Sequence, residues 1–239
     1  MPRFFVNEKP EEMYVITGED ATHIGRSLRM KPGEELTLCF DGYDYFGVID
    51  KITDNEVFVN IRYNSLSKSE PDVFLTLFQA IPKGDKMEMI IQKAVELGAS
   101  RIVPVLTDRC VSRPDEKSFA KKLSRYQKIS ESASKQSGRG IIPEITGILN
   151  VKQAAEELSK CDVALVCYEK GGISLNDAGL EKVKSIGVFI GSEGGFEEKE
   201  VQICIEKGAK AVGLGNRILR CETAPLAAIS IIMNLTGNM

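Results

Sequence analysis

The chain has a single histidine, His23, and its six cysteines (Cys39, Cys110, Cys161, Cys167, Cys204, Cys221) include no Cys-x-x-Cys pair. That spacing excludes the usual zinc sites, and scattered thiols read as reduced, mostly buried groups rather than a disulfide framework, so no metal is expected. No stretch approaches the roughly 18 uninterrupted apolar residues of a membrane span, and the first residues lack the apolar core of a signal peptide. The expectation is a cytoplasmic protein without a membrane partner. Gly-x-Gly-x-x-Gly and Gly-x-x-x-x-Gly-Lys-[Ser/Thr] are both missing, which points away from NAD and ATP. Net charge is only −3, a weak argument against nucleic acid until it is divided along the chain. Residues 71–140 carry 13 basic against 8 acidic groups, while both flanking segments are net acidic. Shared on one face, such cations bind a phosphate backbone; spread out, they are solvated helix surfaces.

What is present divides into two patterns, with 43% hydrophobic residues to supply a core. In residues 1–70, strand-like Met13–Thr17 precedes a short helix from Asp20 to Leu28, and then three strands, Glu35–Phe40, Tyr43–Ile52 and Glu56–Tyr63. Asp41-Gly42 and Thr53-Asp54-Asn55 are hairpin signals, so these three strands form a meander, closed economically as a small barrel or curled sheet. The polar stretch Asn64–Pro71 reads as a linker. From residue 71 to 239 strands alternate with helices, ending in a helix from Thr223 to Leu235, which implies an α/β unit with a largely parallel sheet. A helix is expected over Asp85–Leu97, a long one from Glu116, and a short one near Asn176–Val183.

Two small-residue loops follow strands of this second unit. Gly191-Ser192-Glu193-Gly194-Gly195-Phe196 follows Ile186–Ile190, and Leu214-Gly215-Asn216-Arg217 follows Ala211-Val212-Gly213. Glycines at strand ends let main-chain groups approach a ligand, although a Gly-rich turn taken alone is more often just a tight turn. Glu193 is a poor companion for pyrophosphate and suits a cationic or zwitterionic ligand better.

Together, Ile190–Phe196 followed by Glu200, and Leu214-Gly-Asn-Arg-Ile-Leu-Arg-Cys-Glu-Thr-Ala224, closely resemble the signature segments of the SPOUT methyltransferases. Within them the chain is similar to the family that methylates N3 of a uridine in small-subunit (16S) ribosomal RNA. Further matches are Arg3-Phe4-Phe5, His23 with Leu28-Arg29-Met30, Lys83–Glu88, Gln92–Gly98 and Gln136–Arg139 before Pro143, so the likeness runs nearly end to end. Ser192 stands where that family commonly has proline.

The resemblance implies a PUA-like barrel over residues 1–70 and a SPOUT methyltransferase domain over 71–239 with a C-terminal trefoil knot. It also implies a homodimer, and ribosomal RNA or the small ribosomal subunit as partner. It implies S-adenosylmethionine as methyl donor, held by Val166, Cys167 and Tyr168, by Ile190, Gly191, Glu193, Gly194 and Gly195, and by Leu214, Gly215, Arg217, Ile218 and Leu219 with Thr223 and Ala224.

Methylating uridine N3 requires either a proton acceptor or cations that stabilise charge on the flanking carbonyls. The candidates are Glu193, Arg217, Arg220 and Arg139. Each has a second reading: Glu193 as a cap of its own loop, Arg217 or Arg220 as partners of Glu222, Arg139 as a phosphate contact. Arg3, His23, Arg26, Arg29, Lys83, Lys86, Arg109 and Arg139 are the candidate RNA contacts, with His23, Arg26 and Arg29 at helical spacings of three. Methylation of another RNA site, such as a transfer-RNA ribose 2′-hydroxyl, and a non-catalytic RNA-binding assembly factor are the alternatives.

Overall fold

Alternating burial along the first strands lets one face of a sheet close over a core while the other meets water. The computed structural model describes residues 1–239 apart from the side chain of Glu116, and the chain divides into two units. Unit one comprises Met1–Glu70 with Ser134–Ile141; unit two comprises Pro71–Ala133 with Ile142–Met239.

In unit one, β1 (Arg3–Phe5), β2 (Met13–Thr17), β3 (Glu35–Phe40), β4 (Tyr43–Ile52) and β5 (Glu56–Leu66) form one sheet in the order β1-β3-β4-β5-β2. The β3-β4-β5 meander is antiparallel, and both expected turns are there, with Asp41 and Gly42 at φ 49° and 76°. Phe4, Leu36, Leu38, Ile49, Val57 and Val59 pack beneath Ile24, which is fully buried. That isoleucine comes from a helical segment made of α1 (Gly18–Thr22) and one π-helical turn, His23–Ser27. The π turn alters the helical spacing, and Arg29 lies beyond it at φ 53°, so His23, Arg26 and Arg29 do not repeat along one regular face. The expected linker is also shorter than its polarity implies. Asn64, Ser65 and Leu66 complete the ladder opposite Tyr45, Asp44 and Tyr43, because a ten-residue β4 needs partners along its whole length.

Unit two is built on a parallel sheet in the order β11-β13-β10-β12-β6-β7-β8, with β9 also pairing β7. Its strands are β6 (Phe74–Ala80), β7 (Arg101–Leu106), β8 (Glu144–Ile145), β9 (Leu149–Asn150), β10 (Val163–Cys167), β11 (Ile173–Ser174), β12 (Ser185–Ile190) and β13 (Lys210–Gly213). The helices are α2 (Lys86–Glu96), α3 (Glu116–Ser137, whose last residues belong to unit one), α4 (Val151–Leu158), α5 (Glu198–Glu206) and α6 (Thr223–Leu235). Met87, Ile90, Ile91, Ala94 and Val95 are the buried face of α2, as its periodicity requires. The helix expected near Asn176–Val183 is only a single 3₁₀ turn, Leu175–Asp177; Gly179 and Lys182 beyond it have positive φ, which interrupts helical winding.

One feature of this topology positions a site. From β10 the chain passes through the short β11 at the sheet edge to β12 on one side of β10, then returns to β13 on the other side of β10. The ends of those three strands meet where the strand order reverses, the place where ligands bind in open parallel sheets. Among the described residues no helix is long and apolar enough to cross a membrane.

Candidate active site

A cavity of about 610 Å³ opens at the ends of β10, β12 and β13, within the range of small-ligand pockets. Its walls are Cys167–Glu169, the loop Ile190–Phe196, and Gly213–Glu222 with Ala224, while Lys86 enters from the start of α2. Thirteen of the fifteen residues expected to hold the donor are on this wall; Val166 is buried in the core behind it, and Thr223 is not among the lining residues. Arg220 lines the cavity too, as do Ser192 and Asn216 within the two expected loops, and Glu169, Cys221 and Glu222, which were not expected at the donor site.

The glycine loop is tightly built. Phe196 is buried and packs edge-on against Phe189, with ring centroids 4.8 Å apart, and the Gly195 amide donates to the Ser192 carbonyl across a one-bridge turn. Gly195 has φ 68°, and a Cβ there would lie 2.7 Å from the Glu169 carboxylate, so the turn requires glycine. From β6, which pairs with β12, the buried Gln79 amide donates to the Gly191 carbonyl. Arg109 grips the tip, donating through Nη1 to the Gly194 carbonyl at 2.7 Å and through Nε to Glu197 at 2.9 Å. Behind it Glu200, buried at the start of α5, accepts from the amides of Asp108 and Glu197.

Glu193 is anchored rather than loose. Its Oε1 accepts from the Lys83 amide and from Lys86 Nζ, both at 3.0 Å. Burial pushes its pKa up, but backbone hydrogen bonds and Lys86 outweigh that and hold the carboxyl below the ordinary carboxylate range. Glu222, 3.2 Å from the same ammonium, is likewise lowered, chiefly by the Cys221 thiol that donates to it and then by Lys86. Lys86 is raised to about 12 by its hydrogen bonds to these carboxylates. Burial pushes the Cys167 and Cys221 thiols up to about 12, so both are neutral and unsuited to nucleophilic attack.

Arg217 and Arg220 contrast with Lys86. Both line the cavity, both are exposed, and among the described residues neither side chain has an ion-pair partner. Glu222, the expected structural partner, is engaged by Lys86.

The remaining candidates lie elsewhere. Arg139 belongs to unit one, where its side chain is 3% exposed and donates to Glu70 at 2.7 Å. Arg3 is held by Asp44 through a bond of 2.8 Å and also donates to Cys39 Sγ. These two arginines therefore fasten Ser134–Ile141 and β1 within their unit. His23, Arg26, Arg29 and Lys83 are exposed, with His23 edge-on to Phe4.

The cavity suits a zwitterionic donor. It brings three carboxylates, of Glu169, Glu193 and Glu222, together with cations, and its glycine loop is bare where a Cβ at Gly195 would fill space. The Ser192 hydroxyl on its wall is buried with no hydrogen-bond partner among the described residues, leaving hydrogen-bonding capacity beside a ligand.

With this geometry, comparison with known proteins defines the class. Residues 69–233 match the RNA methyltransferase domain family and residues 16–62 the RNA methyltransferase PUA domain family. The fold is thus a PUA-like domain joined to a SPOUT-type methyltransferase domain. At full length the chain is 33% identical over 245 residues to ribosomal RNA small subunit methyltransferase E of Bacillus subtilis, covering 97% of this chain and 96% of that protein. The crystal structure of ribosomal RNA small subunit methyltransferase E from Neisseria gonorrhoeae, bound to S-adenosyl methionine, is 34% identical with a TM-score of 0.89 over 99% of this chain and 98% of that one. A Legionella pneumophila structure in complex with the cofactor SAM is 31% identical with a TM-score of 0.87, covering 98% and 97%. The chain belongs to the ribosomal RNA small subunit methyltransferase E family.

Proposed function

We propose that the protein transfers a methyl group from S-adenosylmethionine to N3 of a uridine in small-subunit ribosomal RNA, acting as a homodimer. The observation that carries this reading is a glycine-walled cavity at the strand-order reversal, lined by two arginines that have no ion-pair partner among the described residues. When bound, S-adenosylmethionine supplies an electrophilic methyl group on its sulfonium. The backbone of Gly191–Gly195 and Leu214–Leu219, with the wall residues Cys167 and Tyr168, holds the donor and excludes water from one side of it.

A uridine N3 becomes nucleophilic as its proton leaves, and the charge spreads to the flanking carbonyl oxygens. Arg217 and Arg220 stabilise that charge with planar donors that pair with no carboxylate among the described residues. The proton passes to solvent at the open cavity mouth. Glu193 is a poor proton acceptor, since its carboxyl is held below the usual range, and it serves to anchor its loop. Exposed Arg26, Arg29 and Lys83, with Lys117, Lys121, Lys122 and Lys128 along α3, supply phosphate contacts; His23 is exposed beside Arg26.

Incubation with labelled donor and small ribosomal subunits, or with deproteinised RNA, should yield N3-methyluridine on nucleoside digestion. Methylation confined to ribose or to guanine overturns the assigned product. Failure of the folded protein to bind donor in calorimetric titration would instead identify a non-catalytic RNA-binding module.

A further inference from the structure

The two cavity walls come from different strands, and each presents a carboxylate to the same cation. Glu193 belongs to the loop after β12 and Glu222 to the segment after β13, while Lys86 stands at the first residue of α2. An ammonium there faces the positive end of the helix macrodipole, an unfavourable position that two carboxylates offset. Glu193 also accepts from the Lys83 amide, in the turn that leads into α2.

The two walls differ in what else holds them. The glycine loop has Gln79, Arg109, the Lys83 amide and buried Phe196. The segment Leu214–Glu222 contains no helix or strand, and Ile218 within it is 86% exposed. Among the described residues, the only side chain outside this segment that hydrogen-bonds or ion-pairs with it is Lys86, through Glu222 and more distantly the Cys221 sulfur at 3.8 Å.

We propose that Lys86 is a positioning residue that latches the mobile wall of the donor cavity, Leu214–Glu222, to the rigid wall, Gly191–Phe196. Arg217 and Arg220 ride on the latched segment, so Lys86 sets where their guanidinium groups stand without touching the reacting atoms. The consequence of the latch for methyl transfer rests on the function proposed above; its effect on the loop does not.

The test uses the full chain without donor and reads amide hydrogen exchange. Lys86→Met should speed exchange across Leu214–Glu222 several-fold more than across Gly191–Phe196, and Lys86→Arg should restore most of the protection. Glu222→Gln should reproduce the effect, and combining it with Lys86→Met should add little, since both remove one contact. With S-adenosylmethionine added, Lys86→Met should weaken binding about three- to tenfold, the range for a charged hydrogen-bond pair discounted for partial exposure. Exchange unchanged in both Lys86→Met and Glu222→Gln, or full additivity of the two, overturns the latch. If Lys86→Met does not fold, Glu222→Gln and Lys86→Arg decide the question alone. If the wild-type chain binds no donor, the proposed function fails while the exchange result still judges the latch.

Discussion

The glycine loop and the Leu214–Glu222 segment form opposite walls of one cavity, yet they are stabilised by different means. The loop with three glycines is the stiffer of the two. Its backbone is fixed by a short turn, an aromatic anchor and groups from β6, α2 and the residues after β7. The other wall has one glycine, exposed residues from Gly215 to Ile218, Leu214 packed on the core and a buried Cys221, and among the described residues Lys86 is the one outside side chain that hydrogen-bonds or ion-pairs with it. Glycine here serves close approach and a required φ, not flexibility. Faster exchange in Leu214–Glu222 is expected instead from its few buried side chains and tertiary hydrogen bonds.

The sharpest way to test this division is to remove what each wall contributes. On the mobile wall, Arg217→Ala or Arg220→Ala should lower kcat by about 10²- to 10³-fold, the usual consequence of losing a group that stabilises developing charge. Donor affinity, measured by titration, should change far less; an equal loss in both would show that these arginines act in binding. On the rigid wall, Gly195→Val should weaken donor binding by about 10- to 100-fold, from roughly 1–3 kcal/mol of strain at φ 68°. The protein should remain folded. Gly215→Val, also at positive φ but with open space around its Cβ, should cost less because the surrounding segment can relax. Comparable losses at the two glycines would contradict the stiffness contrast. Arg109→Met should give a smaller effect, about three- to tenfold in donor affinity, since the guanidinium is partly exposed. Its exchange signature should fall on Gly191–Phe196 and leave Leu214–Glu222 unchanged.

The two walls were also unequally legible in the sequence. Gly191–Phe196 and Leu214–Arg217 stood out because strand-end glycines are local signals, and nearly all the residues assigned to the donor from the family resemblance line the cavity. Lys86 was expected as an RNA contact, whereas it lines the cavity and pairs with Glu193 and Glu222. Its role arises only because β6 pairs with β12, placing Gln79 opposite Ile190 and the start of α2 beside a loop 107 residues away. Arg3, Arg109 and Arg139 read from charge as phosphate contacts, but their carboxylate partners lie 41, 88 and 69 residues distant. Sequence spacing cannot reveal pairs made by tertiary folding. The two-residue strands β8, β9 and β11 escaped for the opposite reason: they are too short to show a period of two.

The smallest expected effect is in pH dependence, and it separates the two walls most cleanly. Glu193 and Glu222 have folded pKa values below their ordinary 4.5, so their contribution is fully present above 4.5 and is lost as pH falls through the depressed values. Lys86 is raised from 10.5 to about 12, so its contribution is complete below 10.5 and disappears as pH rises through about 12. Between these limits the latch carries its full charge, and exchange protection of Leu214–Glu222, corrected for intrinsic rate, should be flat. Above 10.5 protection should fall in that segment before it falls in Gly191–Phe196, which keeps the Lys83 amide on the Glu193 carboxylate, the Gln79 side-chain amide on the Gly191 carbonyl and its Arg109 contact. In Lys86→Met this alkaline limb should vanish from the mobile wall, because the titrating group is gone. An alkaline loss of equal size in wild type and variant would mean that some other cation holds the segment.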